Sequence, residues 1–150
     1  MRRAIILFCA LFVVAVISDR AVKMAVLEGF RWHSEAISII LTFNDGVAFS
    51  WFAFLGAWLK WLQLALIIGA AAYLFWTRLI VPYGAPLGLL LGAGASNLLD
   101  RFVHGGVVDY VFWHYGFEFA VFNLADALID CAVVWILWLH WRSTRKIKAV

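Results

Sequence analysis

Charge is what this 150-residue chain has least of: Lys, Arg, Asp and Glu together make up 14% of it, where soluble domains carry about 25%. Intrinsic disorder, which needs a polar and highly charged chain, is thereby excluded. Cysteine is nearly absent, and Cys9 and Cys131 both lie inside apolar runs, so a disulfide scaffold is excluded as well. Proline occurs only at positions 82 and 86, and no linker, low-complexity tract or repeat divides the chain, so residues 1–150 read as one integral-membrane domain. Acids are missing from both ends, all nine falling between Asp19 and Asp130. What is present is 66% hydrophobic residues, with 9 Trp, 13 Phe and 4 Tyr. That is more apolar surface than a soluble enzyme of this size can bury, and the aromatic load suits belts at two membrane surfaces.

A bilayer core is spanned by about 20 helical residues at about 1.5 Å each. By that measure the sequence predicts an all-α membrane protein with four transmembrane helices. Span one begins after Arg2 and Arg3, is uncharged from Ala4 to Ile17 and continues toward Val26. The second covers Trp61 to Thr77, starting near Gly56. Leu79 to Leu99 forms the third, with Pro82 and Pro86 expected to break its start and leave a regular helix over Gly84 to Arg101. Span four runs from about Phe122 to Trp141. Two long segments, Leu27 to Leu55 and Phe102 to Val121, are left to fold outside the bilayer core.

Arg2, Arg3, Arg78, Arg142, Arg145, Lys146 and Lys148 all fall on one side of a four-span chain, and no acid joins them. Short cytoplasmic loops collect Lys and Arg, so both termini are expected in the cytoplasm and the acidic loops outside. The basic tail then reads as a lipid-surface anchor, not a nucleic-acid site. Met1-Arg-Arg before an apolar run imitates a secretory signal, but no small-x-small cleavage site follows, and it reads as an uncleaved anchor.

Ionisable groups within spans are costly, which makes each a candidate for function. Asp19 and Lys23 share a face near the outer end of span one, and Asn97 and Arg101 share one near the outer end of span three, with Asp100 expected to point elsewhere. Asn123, Asp126 and Asp130 form a stripe on span four. Three polar stripes thus meet at one depth. Gly84, Gly88, Gly92 and Ser96 recur every four residues on span three and predict a close helix pair. In the first long loop, Ile37 to Thr42 predicts a strand, followed by an Asn44-Asp45-Gly46 turn and a returning strand. The Leu27 to Leu55 segment that holds this hairpin, with Phe43, Phe49, Trp51 and Phe52, reads as a cradle and lid lying on the membrane surface. The second loop carries Val107-Val108-Asp109-Tyr110, an acid in an apolar string.

Read together, the strings Asn44-Asp-Gly-Val-Ala-Phe49, Asn97-Leu-Leu-Asp-Arg101, Val107-Val-Asp-Tyr110 and Phe122-Asn-Leu-Ala-Asp126, with the Asp19 and Lys23 pair, resemble the lipoprotein signal peptidase (signal peptidase II) family over nearly the whole chain. The resemblance implies a multi-pass enzyme of the bacterial inner membrane, with its active site on the extracytoplasmic side. Such an enzyme cleaves signal peptides from prolipoproteins before the diacylglyceryl-bearing cysteine. It implies Asp109 and Asp126 as the catalytic pair, with Asn44, Gly46, Asn97, Arg101, Asn123, Asp19 and Lys23 shaping or supporting the pocket. Arg20 to Val22 and Gly92 to Ser96 depart from the family's usual strings without removing any of these residues. No family role attaches to Asp130, whose plain reading is a carboxylic acid that stays neutral or hydrogen-bonds a neighbouring helix.

The chemistry is consistent with that assignment. Amide hydrolysis by two carboxylates needs one ionised to take a proton from water and one protonated to donate to the scissile carbonyl. Two such groups about 5 Å apart at an effective dielectric of about 20 repel by about 3 kcal/mol, so the pair holds one shared proton. Apolar Val107, Val108, Leu124 and Ala125 push the same way. No cofactor is required and no metal is expected, because His33, His104 and His114 show no tight ligand spacing; His140 reads as an interfacial side chain. The expected partners are lipidated prolipoprotein signal peptides and membrane lipid, without nucleic acid, and the enclosed site predicts a monomer. A proton-coupled transporter or channel is the alternative reading. Against it, Cys131 to Leu139 carries no acid or base to continue a relay.

Overall fold

A computed structural model describes residues 1–46 and 53–148. Four helices carry most of them: α1 (Arg2–Leu27), α2 (Trp58–Trp76), α3 (Ile80–Val103) and α4 (Leu124–Lys148). Between α1 and α2 lie strands β1 (Trp32–His33) and β2 (Ile37–Asn44) and a 3-10 turn over Ala53–Leu55; β3 (Val107–Trp113) joins α3 to α4. By length and composition, α1, α2 and Leu124–Arg145 of α4 qualify as membrane spans. The fourth helix, α3, is 24 residues long and carries Ser96, Asn97, Asp100 and Arg101 near its C-terminal end.

Helix α3 lies among α1, α2 and α4 and touches all three. Its small-residue stripe explains the closest of these contacts. A Cβ added at Gly84, Gly88 or Gly92 would run into the backbone of Ala4, Phe8 or Phe12, closer than any real side chain sits. Glycine there is what lets α1 and α3 touch backbone to backbone. One apolar cluster, Phe8, Leu74, Ile80, Leu87 and Leu91, fills the end of the bundle away from the sheet. A second, Ala15, Ala93 and Ala125, brings α1, α3 and α4 together beneath the polar residues. Val13, Val14, Ile17, Leu66, Val134 and Leu137 face outward, where a soluble fold would bury them.

Two expectations need correction. The prolines do not break α3, which starts at Ile80 and includes both. Pro82 falls in the first turn, where its missing N–H costs nothing, so only Pro86 removes a hydrogen bond from the helix. The outer β structure is also more than a hairpin: β1, β2 and β3 form a three-stranded antiparallel sheet in that order. The partner of β2 comes from the second loop, with Thr42 opposite Asp109 and Asn44 opposite Val107. The expected returning strand, together with Phe49, Trp51 and Phe52 of the expected lid, lies outside the described residues. Gly105, at φ +82, turns the chain out of α3. Next to it, Gly106 lets β3 start against Asn44 and Asp45, since a Cβ there would meet Asp45 Oδ1 at 2.9 Å.

Candidate active site

The site is built around the first turn of α4, where four backbone N–H groups have no partner within the helix. Each finds one. The Asn123 N–H donates to Asp126 Oδ2 at 3.1 Å and the Asp126 N–H to Asn123 Oδ1 at 3.0 Å, a reciprocal capping box that fixes the Asp126 carboxylate to its own helix end. The Leu124 N–H donates to the Tyr110 hydroxyl at 2.9 Å, and the Ala125 N–H to Asp19 Oδ1 at 2.9 Å. Phe122, just before this turn, bridges Val111 of β3 by backbone hydrogen bonds. The bridge ties the start of α4 to the strand that carries Asp109.

Asp109 is 2% exposed. Its Oδ2 accepts a hydrogen bond from Asn44 Nδ2 at 3.0 Å and its Oδ1 one from Asn123 Nδ2 at 2.6 Å. Asn44 can reach it because Thr42 and Asn44 share the sheet face of Asp109 in this register. Burial pushes the Asp109 carboxyl up to about 6; the Asn44 hydrogen bond opposes the rise, the charge of Asp126 adds to it, and Asn123 and Lys23 oppose it. Burial also raises the neighbouring Tyr110 phenol to about 12, which keeps its hydroxyl neutral.

Asp126 Oδ1 accepts from Asn97 Nδ2 at 2.9 Å. That amide has its orientation set from behind: Asn97 Oδ1 accepts from Lys23 Nζ at 2.7 Å and from Asn123 Nδ2 at 3.1 Å, so its NH₂ must face Asp126. Lys23 is fully buried and also contacts Asp19 Oδ2 and Asp100 Oδ2, each at 2.7 Å. Asp100 in turn pairs with Arg20 and accepts the Val108 N–H at 3.2 Å, and Ser96 donates to Asp19 at 2.6 Å. Two cations and two carboxylates therefore form a neutral, interlocked group behind the aspartates.

Asp109, Asp126, Asn44, Gly46, Asn97 and Arg101 line one cavity of about 520 Å³. Asn123, Asp19 and Lys23, the remaining expected site residues, stand behind its wall. Arg101 clamps the turn after β2: its guanidinium donates to the carbonyls of Asn44, Asp45 and Gly46, and its Nε donates to Gln63 Oε1 at 3.0 Å. The Gly46 N–H donates to Asn44 Oδ1 at 3.0 Å, which frees the Asn44 amide to donate to Asp109.

Asp100 corrects the sequence reading, which had it pointing away: it is fully buried and holds α1, α3 and β3 together. Arg20, Tyr110 and Gln63 were not singled out as site residues. Signals existed for two of them: Tyr110 sits beside Asp109 in the quoted string, and Gln63 is an amide inside an apolar helix. The histidines hold another surprise. His33 and His114, far apart in sequence, stack with ring centroids 5.5 Å apart and flank Ser38, at 2.5 and 2.9 Å from its hydroxyl. Among the described residues no three His, Cys, Asp or Glu side chains gather as a metal site would need.

Comparison with known proteins gives consistent matches. A family model described as signal peptidase (SPase) II matches residues 11–142. A Wolinella succinogenes protein named lipoprotein signal peptidase is 56% identical over 139 residues, covering 92% of this chain and 95% of that protein. A Helicobacter pylori protein of the same name is 47% identical over 152 residues, covering 99% and 97%. A solved bacterial membrane enzyme, 22% identical, superposes with a TM-score of 0.76 over 91% of this chain and 88% of its own.

Proposed function

The chain belongs to the signal peptidase II family and is a membrane protease that removes signal peptides from prolipoproteins; from that premise we propose that Asp109 and Asp126 are its catalytic pair. One observation carries the proposal: the two carboxylates line the same cavity, and the side chains that hold them are neutral amides, not cations. An amide donor aims a carboxylate oxygen and favours its charged form less than a contacting cation would, so the pair can hold one proton between two groups.

Water between the aspartates is the nucleophile. The ionised carboxylate takes its proton while the protonated one donates to the scissile carbonyl oxygen, giving a tetrahedral diol. As the C–N bond breaks, the protonated carboxylate gives its proton to the departing cysteine nitrogen while the other takes one from a diol hydroxyl, so the new peptide C-terminus leaves as a carboxylic acid and the pair again holds one proton. Val107, Val108 and Ala125, each nearly or fully buried around the pair, keep bulk water from dissipating these charges.

The proposed topology has four spans, with α3 as the inner one and both termini in the cytoplasm, because the basic residues cluster at the helix ends remote from the sheet. The cavity then opens at the outer leaflet of the bacterial inner membrane, within one domain acting as a monomer. A lipidated precursor is held there, since a diacylglyceryl group adds about 0.8 kcal/mol of membrane affinity per buried methylene. The Asn44 to Gly46 turn, clamped by Arg101, forms the cavity's outer edge. The alternative of a transporter or channel falls with the family membership.

The test is incubation of the purified protein with one precursor in lipidated and unlipidated forms. Cleavage confined to the lipidated form, directly before its cysteine, is expected. Equal cleavage of both would refute a site built around the lipid.

A further inference from the structure

We propose that Asp130 is a specificity-determining residue that accepts a hydrogen bond from a Ser or Thr side chain of the substrate, two residues before the cleaved bond. The proposal rests on the assignment of Asp109 and Asp126 above. Asp130 lies one helical turn beyond Asp126 on α4, exposed, and lines the same cavity. Of the two plain readings in the sequence, an acid that stays neutral or one that hydrogen-bonds a neighbouring helix, the second finds no partner among the described residues. Among the described residues, no hydrogen bond or ion pair engages its carboxylate.

A carboxylate on a membrane helix is costly and is retained where it meets water or a ligand. Apolar Phe122, Ala127 and Ile129 also line the cavity. Gln63 also lines the cavity, but its carbonyl is already occupied by Arg101. Among the described residues, Asp130 is thus a cavity-lining acceptor with no protein partner. The distance then sets the register. Four helical residues advance about 6 Å, and an extended peptide covers that length in about two residues at about 3.3 Å each. In the proposed topology α4 runs inward from the outer surface. Asp126 to Asp130 therefore follows the direction in which a signal peptide extends back from its cut end toward the cytoplasm.

The experiment compares two lipidated precursors that differ only at the second residue before the cut, Thr in one and the isosteric Val in the other. For the wild type we expect kcat/KM to favour Thr by about tenfold, the lower end for a hydrogen bond to a charged group. Asp130→Leu should bring the ratio to about one, with Asp130→Asn between. The ratio within one preparation does not depend on how much enzyme is folded, and Asp130→Asn serves if Asp130→Leu fails to accumulate. A wild-type ratio near one, or a tenfold ratio that survives in Asp130→Leu and Asp130→Asn, overturns the proposal. Failure of the underlying assignment would look different: Asp109→Asn would go on cleaving both precursors.

Discussion

Four aspartates meet at the sheet end of this bundle, and they are held in two different ways. Asp19 and Asp100 sit behind the cavity wall in direct contact with Lys23 and Arg20. Asp109 and Asp126 sit on the wall, and the side chains in contact with them are Asn44, Asn97 and Asn123. A cation in contact attracts a carboxylate more strongly than a neutral amide donor does, so cation contacts suit a strut, whereas amides aim the oxygens with a weaker pull and suit a proton carrier. The two sets are coupled: Lys23 turns the Asn97 amide toward Asp126, and Asp19 caps the same helix turn that carries Asp126. The rear group therefore supplies geometry to the front pair without placing a cation against it.

The sharpest way to break this arrangement is from behind. Lys23→Met strands Asp19 and Asp100 without their shared partner at a fully buried position. Removing one member of a buried ion pair costs about 3–5 kcal/mol, so the variant should fail to accumulate or melt far below wild type in detergent. Native-like melting would show that the rear group is not a strut.

Converting the front support into the rear kind is the second test. Asn44→Lys places an ammonium where a neutral amide now meets Asp109. Turnover of a lipidated precursor should fall by about 100-fold, the low end for loss of acid–base catalysis, while the protein still accumulates. Turnover close to wild type would mean that neutral support is incidental.

The smallest effect lies in the pH dependence of stability. In the fold Asp109 keeps its proton up to about 6, whereas its ordinary value is 3.8. The folded chain therefore binds this proton more tightly than the unfolded one, and the stabilisation is complete below 3.8 and is lost as pH rises to about 6. Asn at this position does not titrate. The melting temperature of Asp109→Asn relative to wild type should rise across that window and level off above it; a flat difference would mean that Asp109 is not held in a proton-retaining site.

How much of this was legible in the sequence follows from which forces are local. The helices were, because an uncharged run such as Trp61 to Thr77 carries its own reason to be a span. So was a close helix contact along Gly84, Gly88 and Gly92, although that stripe does not say that the partner is α1. The sheet was only half legible: Ile37 to Thr42 reads as a strand, but its pairing with Val107–Trp113 is made across the whole of α2 and α3 and leaves no local signal. Asp100 was misread because the helical face of Asn97 and Arg101 was taken too narrowly. Residues three apart differ by only about 60° around a helix, and the long Lys23 side chain reaches both Asn97 and Asp100. Of the cavity residues, Asn44, Gly46, Asn97, Arg101, Asp109 and Asp126 came from the family's strings and Asp130 from the polar stripe on span four, whereas Gln63, residues 119–121 and the division between cation-held and amide-held acids needed coordinates.

The proposal that the front pair is the catalytic one rests on that division, and its most direct test is the turnover of one lipidated precursor by Asp109→Asn and Asp126→Asn, each purified from membranes in which it accumulates normally. Each should cleave at least about 1,000-fold more slowly than wild type, within the range for removal of an essential acid or base. Near-native turnover by either variant would show that hydrolysis does not run through these two carboxylates.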